Sequence, residues 1–394
     1  MTELRDALRP ALPEDAATAA LAGRVWRPDV EGPSVVVLRG ADLIDITATF
    51  PTMRDLCEAP DPAAALRAAT GETIGAFDAV LANTPPEDRD PAKPWLLAPV
   101  DLQALKAAGV TFAISMLERV IEERARGDQG AAAAIRAEVN RLVGDDLGAL
   151  KPGSAEAMAL KQVLIRQGAW SQYLEVGIGA DAEIFTKAQP MAAVGTGVDG
   201  GIHPISTWNN PEPEVVLAAS SAGHIVGATL GNDINLRDVE GRSALLLSKA
   251  KDNNGSCAIG PLLRLFDAGF TLDAIRQTTV SLLVQGPEGF RLEGASSLSK
   301  ISRDPADLVA QMVNPHHRYP DGAALFLGTM FAPVEDRDAP GKGFTHKTGD
   351  IVTIAAPRLG RLVNRMMPTD RCEPWTFGVA ALMRNLARRG VLGN

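Results

Sequence analysis

Cysteine and histidine are scarce in this chain, with three and five copies in 394 residues. Cys57, Cys257 and Cys372 are odd in number, far apart and form no CxxC, which argues against a disulfide scaffold and for a reduced, cytoplasmic setting. So few Cys and His leave little material for a zinc site; His316 and His317 are sequence neighbours after Pro315, and neighbours rarely aim at one metal. No apolar run approaches the roughly 18 residues of a membrane span, and the charged start MTELRDALRPALPED lacks an apolar signal region. A net charge of −9 argues against nucleic acid and anionic membranes as partners. There is no P-loop and no GxSxG elbow. Gly195, Gly197 and Gly200 spell a formal GxGxxG, but Gly201, His203 and Pro204 follow, so no helix can start there and the glycines read as a turn.

What is present is a folded, mixed chain too long for one ordinary core, with 46% hydrophobic and 22% charged residues. SVVVL and LIDITATF read as strands joined at Arg39-Gly40, and PTMRDLCE and PAAALRAAT as helices. The Pro-rich, charged segment NTPPEDRDPAKPW (83–95) is the best linker, closing a small N-terminal α/β domain over 1–95 and leaving 96–394 as the second domain. A helical texture then runs over 119–167: ERVIEERARG, AAAAIRAEVNRLV, and SAEAMALKQVLIRQ with Ser154 as N-cap and Gly168 as stop. Beyond about 170, short Val/Ile/Leu pieces alternate with Gly, Asn and Asp turns. The fold class is therefore α+β, mainly β, with a helical insertion.

Chemistry concentrates where EVVLAAS opens with Glu212 and Glu214. Residues i and i+2 of a strand share a face, so both carboxylates aim at one spot, which is costly without a cation. SSAG (220–223) turns the chain, HIVGATLG returns antiparallel, and Asp233 in the turn that ends it can point back. Three converging carboxylates form a hard oxygen site for Mg²⁺, with Mn²⁺ or Ca²⁺ as alternatives. Solvated glutamates at an exposed strand start are the plain alternative.

GATLGNDINLRDVEGR behind this Glu-x-Glu strand resembles the core signature of the fumarylacetoacetate hydrolase family. AEIFTK (182–187), KDNNGSCAIGP (251–261), ALFLGTMFAP (324–333) and KTGDIVTIAAPRLGRLVN (347–364) resemble further family motifs in the same order. The resemblance spans roughly 109–364. It implies a fumarylacetoacetate-hydrolase-like mixed β-roll with metal at Glu212, Glu214 and Asp233, and an active-site lysine at Lys251, with Lys249 as fallback. Relatives with a lid pattern like NYxxHAxE align with TFAISMLE (111–118), where Glu118 keeps the acid and Ser115 replaces histidine, which disfavours activation of water for carbon–carbon hydrolysis.

The insert, the N-terminal region, GRVWRP and LRDVEGRSALLLSKAKDNNGSC together resemble the sugar-acid dehydratase branch. That resemblance implies a Mg²⁺-dependent hydro-lyase of pentose catabolism, acting on a small-molecule 2-keto acid. It would convert a 2-keto-3-deoxy-pentonate (xylonate or arabinonate series) to 2,5-dioxopentanoate and water, and assemble as a homo-oligomer, dimer or tetramer. Acylpyruvate hydrolysis or oxaloacetate decarboxylation on the same fold, or a non-enzymatic metal-stabilised binding protein, stay open. Within this reading Glu183 is the acid/base, or else a strand-end partner of a cation such as Lys187, itself a candidate substrate ligand. Lys251 assists the enolate oxygen or is a surface lysine; Thr329 donates to the substrate carboxylate or shapes a turn. Ser115 and Glu118 act on the leaving hydroxyl or lie on a helix surface. Arg237 and Asp238 are expected to pair and brace the Asp233 turn.

Overall fold

The computed structural model describes residues 4–126, 128, 150–166, 168–331, 333, 335–340 and 343–392. Among the described residues, two large sheets and a two-stranded one, Asn209–Asn210 with Asn235–Leu236, carry the chain. Across the larger, eleven-stranded sheet the order is Glu72–Ala76, Asp42–Asp45, Gly32–Arg39, Leu21–Arg27, Cys257–Leu265, Ile225–Asp233, Pro213–Ala219, Ala323–Phe326, Ala104–Gly109 and Glu183–Ala188, with Trp95–Leu97 on Leu21–Arg27. The second sheet orders Arg291–Ser297, Thr279–Gln285, Ile351–Ala356, Gly360–Pro368 and Asp199–Ile202.

Alternation explains how the sheets meet. In Pro213–Ala219, Val215, Leu217 and Ala219 enter a core shared with Val280, Leu282 and Val284 of the second sheet. Val216 points the other way, among Leu105, Ala107, Cys257, Ile259 and Phe326. A strand buried on both faces reads as a continuous apolar run, which is why VVLAA shows no polar alternation.

The N-terminal strands are hydrogen-bonded into the large sheet: Leu21 pairs with Arg264 and Ala22 with Leu263. The segment expected to separate two domains instead contributes Trp95–Leu97 to that sheet, and one apolar cluster combines Leu21, Val36 and Phe77 with Leu262, Ile351 and Val363. The unit expected over 1–95 is thus joined edge to edge with the rest.

Of the insert, the helix Ala113–Ala125 and the helix Ala155–Arg166 are present, the latter with Ser154 Oγ accepting from Ala157 N at 3.1 Å and Gly168 in the left-handed region at φ +65°. The helix expected over 131–143 lies outside the described residues. Met116, Val120 and Ile121 pack the first helix on Ala157, Leu164, Leu174 and Trp208, a cluster separate from the sheet cores. Asp199–Ile202 begins as a strand after the Gly195–Gly197 turn, with no helix on the GxGxxG.

Candidate active site

Glu212 and Glu214 flank Pro213 at the start of a central strand and leave on the face of Val216. The neighbouring strand runs antiparallel and pairs Glu214 with Gly231, which has no side chain to intervene. Asp233, two residues on, comes out beside Glu212 and donates its N–H to the Glu212 carbonyl at 3.1 Å. One oxygen from each of the three carboxylates lies within 4.8 Å of the others, and all three residues are buried.

Two lysines and an arginine balance part of this charge. Lys251 Nζ donates to Glu212 Oε2 at 2.6 Å and Asp233 Oδ2 at 2.9 Å. Burial works against its charge, but Asp233, Glu212 and Glu240 outweigh that and hold its pKa above the ordinary lysine range. Lys187 Nζ lies 2.8 Å from Asp233 Oδ1 and donates to the carbonyls of Lys251 and Ile234 at 2.5 and 3.2 Å. Despite burial, the two lysines keep the Asp233 carboxyl below its usual range. Arg119 donates to Glu212 Oε1 at 2.5 Å.

Glu214 differs. It accepts from Gly328 N at 2.6 Å, and no cation pairs with it among the described residues. Burial, then the nearby Asp233 and Glu212 charges, push its carboxyl well above the usual range. A buried carboxylate without a counter-charge, beside two others, is what a hard divalent cation would resolve, so the donor set fits Mg²⁺. Gly328 is needed for the contact: its φ is +87°, and a Cβ there would meet Thr111 Oγ1 at 2.0 Å.

The three carboxylates line a cavity of about 40 Å³. Glu118, Glu122, Glu183 and Glu240 also face it, so seven carboxyls meet only three lining cations, Arg119, Arg237 and Lys251. Glu183 stands opposite Gly109 in the sheet, and any Cβ at Gly109 would come within 2.0 Å of its Oε2. Burial and then the Glu240 charge push Glu183 up to about 7. Thr329 lines the cavity, its Oγ1 accepting from Phe331 N at 3.0 Å. Ser115 lines it too, donating to Phe112 O at 2.9 Å. None of the five histidines is among the lining residues.

Of the residues singled out from sequence, Glu212, Glu214, Asp233, Glu183, Lys251, Thr329, Ser115 and Glu118 therefore share one cavity. Lys187 does not line it; it is fully buried and holds the Asp233 carboxylate. Lys249 is exposed and reaches His203 at 3.2 Å. Arg237 and Asp238 do not pair with each other. Adjacent helical residues point about 100° apart. Arg237 meets Glu122 at 2.5 Å, Glu118 at 3.5 Å and the Trp208 ring at 4.4 Å, whereas Asp238 accepts from Ser206 Oγ and Thr207 N.

Arg119, Glu122 and Glu240 were not anticipated. Arg119 lies 2.6 Å from Glu122 and 3.1 Å from Glu240 besides holding Glu212. A signal existed: Ser115, Glu118, Arg119 and Glu122 stand at i, i+3, i+4 and i+7, a polar stripe beside the apolar one of Met116 and Val120.

Residues 210–367, which carry the three carboxylates, Lys251 and Thr329, match the family model described as Fumarylacetoacetate (FAA) hydrolase C-terminal. That segment belongs to the fumarylacetoacetate hydrolase family, and the chain has the family's fold. A 2-dehydro-3-deoxy-D-arabinonate dehydratase of Saccharolobus solfataricus is 32% identical over 184 residues, 46% of this chain and 57% of the relative. A probable 2-keto-3-deoxyxylonate dehydratase of Haloferax volcanii is 29% identical over 192 residues, 49% and 62% of the two chains. These matches thus span about three-fifths of the curated relatives. The solved structure of a 2-keto-3-deoxy-D-arabinonate dehydratase complexed with magnesium and 2,5-dioxopentanoate superposes with a TM-score of 0.61, covering 88% of this chain and 99% of that one. At 21% identity this likeness establishes the fold. Among the described residues no helix is long and apolar enough to cross a membrane.

Proposed function

We propose that this protein is a divalent-metal-dependent dehydratase converting a 2-keto-3-deoxy-pentonate to 2,5-dioxopentanoate and water. The observation that carries the reading is the buried, uncompensated Glu214 beside Glu212 and Asp233, in a cavity that also holds a carboxyl titrating near neutrality, Glu183. Support for the same reaction comes from the two relatives, both named as dehydratases of 2-keto-3-deoxy-pentonates, and from the dehydratase solved with magnesium and 2,5-dioxopentanoate.

A divalent cation held by Glu212, Glu214 and Asp233 would supply Lewis-acid polarisation of the 2-keto acid oxygens. The rest falls to the chain. Lys251 and Lys187 keep Asp233 ionised and fixed in place. Glu183, with a pKa of about 7, can take the C3 proton and return a proton to the departing C4 hydroxyl. The C3–H and C4–O bonds break, a C3–C4 double bond forms and water leaves. Moving a C5 proton to C3 and ketonising the C4–C5 enol then gives the C5 aldehyde. Ser115 and Glu118 face the side left for the leaving hydroxyl, and Thr329 the side left for the carboxylate. No histidine stands on the cavity wall, so the histidine–carboxylate pair of the hydrolytic lid pattern is missing, which favours elimination over acylpyruvate hydrolysis. The present free space, about 40 Å³, holds on the order of three waters. A five-carbon acid needs more room than this, and outside the large sheet the cavity is walled by the helix Ala113–Ala125 and the short helix Arg237–Glu240.

A dimer or tetramer remains part of this reading. The test is a screen of 2-keto-3-deoxy-pentonates, acylpyruvates and oxaloacetate with Mg²⁺ and with EDTA, aldehyde being detected through an aldehyde dehydrogenase. Aldehyde from the deoxy sugar acid, abolished by EDTA, is expected. Efficient acylpyruvate cleavage with no aldehyde would replace this reading with a hydrolase.

A further inference from the structure

Arg119 occupies an unusual position for a structural ion pair. Its guanidinium, almost wholly buried with the side chain 12% exposed, touches three carboxylates: Glu212 at 2.5 Å, Glu122 at 2.6 Å and Glu240 at 3.1 Å. Only Glu212 belongs to the metal triad, and Arg119 reaches it from the helix Ala113–Ala125. Lys251, by contrast, bridges Glu212 and Asp233 from the end of the short helix Leu247–Lys251, which precedes the strand Cys257–Leu265.

A cation arriving between Glu212, Glu214 and Asp233 would meet Arg119 on one of its ligand oxygens. Two positive charges sharing Glu212 Oε1 repel each other, and the helix-borne guanidinium has other carboxylates to retreat to. The anionic substrate, in turn, needs a counter-charge. Lys251 is committed to Glu212 and Asp233, and Arg237 is clamped by Glu122, Glu118 and the Trp208 ring. Arg119 is the lining cation that metal binding would release.

We propose that Arg119 is the exchangeable cation of the site: it neutralises Glu212 in the metal-free protein, yields that carboxylate to the divalent cation, and then engages the carboxylate of the 2-keto acid. The first half concerns metal binding alone; the second rests on the 2-keto acid reading above. Because Arg119 rides on a helix of the cavity wall, the exchange also couples metal loading to the position of that helix.

Calorimetry separates the two halves without turnover. With Mg²⁺ alone, Arg119→Gln is expected to bind the ion about three- to tenfold more tightly than wild type, since a competing charge is gone. With saturating Mg²⁺ and pyruvate, a 2-keto acid that has no C4 hydroxyl to lose, the same variant is expected to bind roughly tenfold more weakly, and Arg119→Lys to recover part of the loss. Unchanged or weaker Mg²⁺ binding overturns the exchange, and unchanged pyruvate binding overturns the carboxylate role. If Arg119→Gln does not fold, a Mn²⁺-soaked crystal of the wild type decides the first half. Arg119 displaced from Glu212 supports the exchange, and Arg119 still hydrogen-bonded to a Mn²⁺-bound Glu212 overturns it. Failure of the dehydratase reading would leave the Mg²⁺ result standing, so the two outcomes are distinguishable.

Discussion

Glu214 and Glu118 both face the cavity, yet they are held in different ways. Glu214 leaves a strand hydrogen-bonded on both sides within the eleven-stranded sheet, and its carboxylate is pinned by the Gly328 N–H. Glu118 rides on a helix whose apolar side belongs to another cluster, and that helix meets the sheet half through Arg119 and the Glu118/Glu122–Arg237 contacts. Moving a strand by one residue would send its side chains to the wrong face, so the sheet half is strongly specified. A helix held over the site by ion pairs can shift without breaking any sheet hydrogen bond. The fixed half suits metal coordination; the other suits admission and grip of a substrate.

The largest effects belong to the fixed half. Glu214→Gln and Asp233→Asn should each abolish Mg²⁺ binding by calorimetry and lower turnover by about a thousandfold or more. They should part company in thermal unfolding without metal. Glu214→Gln replaces a buried carboxyl that lacks a cationic partner and whose ionisation the fold disfavours, and should leave the protein at least as stable. Asp233→Asn strips counter-charge from Lys187 and Lys251 and should lower the melting temperature. Equal destabilisation by both would break the distinction between a compensated and an uncompensated ligand.

Next come the two lysines of one short helix. Lys251→Ala leaves Glu212 and Asp233 without their shared ammonium and should cost roughly a hundredfold in kcat/KM, whereas Lys249→Ala, at the surface, should change it by less than about twofold. The reverse order would move the active-site lysine by two residues.

Glu183→Gln should keep Mg²⁺ and pyruvate binding and lose roughly a hundredfold in turnover, together with the pH-rate limb near 7. Stability carries the same signature in metal-free protein. Glu183 has its pKa raised from 4.5 to about 7 on folding, so its protonated form favours the fold at low pH. That contribution is lost as pH rises from about 4.5 through about 7. Denaturant titrations should show the Gln variant gaining on wild type between pH 5 and pH 8; parallel curves would mean Glu183 is not perturbed.

The smallest effect tests the seam between the halves. Gly109→Ala places a Cβ against the Glu183 carboxyl, whose flexible end can give way. Turnover should fall about tenfold with Mg²⁺ affinity unchanged. A coincident loss of metal would show that the seam also shapes the triad.

The converging carboxylates were legible because a strand has a period of two. Glu212 and Glu214 had to share a face, but the turn expected at Gly231-Asn232-Asp233 is instead the end of the strand Ile225–Asp233, and antiparallel pairing brings Asp233 beside Glu212. The edge that the residues up to 95 join was not legible, because prolines and alternating charge mark an irregular segment without saying which strands its neighbours pair with. Leu21–Arg27 instead pairs with Cys257–Leu265, some 240 residues away in sequence. Lys187 shows the same limit. Its place in AEIFTK near the site could be read, but not that its ammonium is fully buried against Asp233, since depth depends on what the adjacent turns cover.

By itself, then, the sequence determined the three converging carboxylates and the β-rich frame through local periodicity, while Lys251 was singled out through the family resemblance. Tertiary structure alone decided the charge balance. Arg119, Glu122, Arg237 and Glu240 come from two helices far apart in the chain, and whether a carboxylate is compensated depends on which cation lies within about 3 Å through space, a distance that no local pattern encodes.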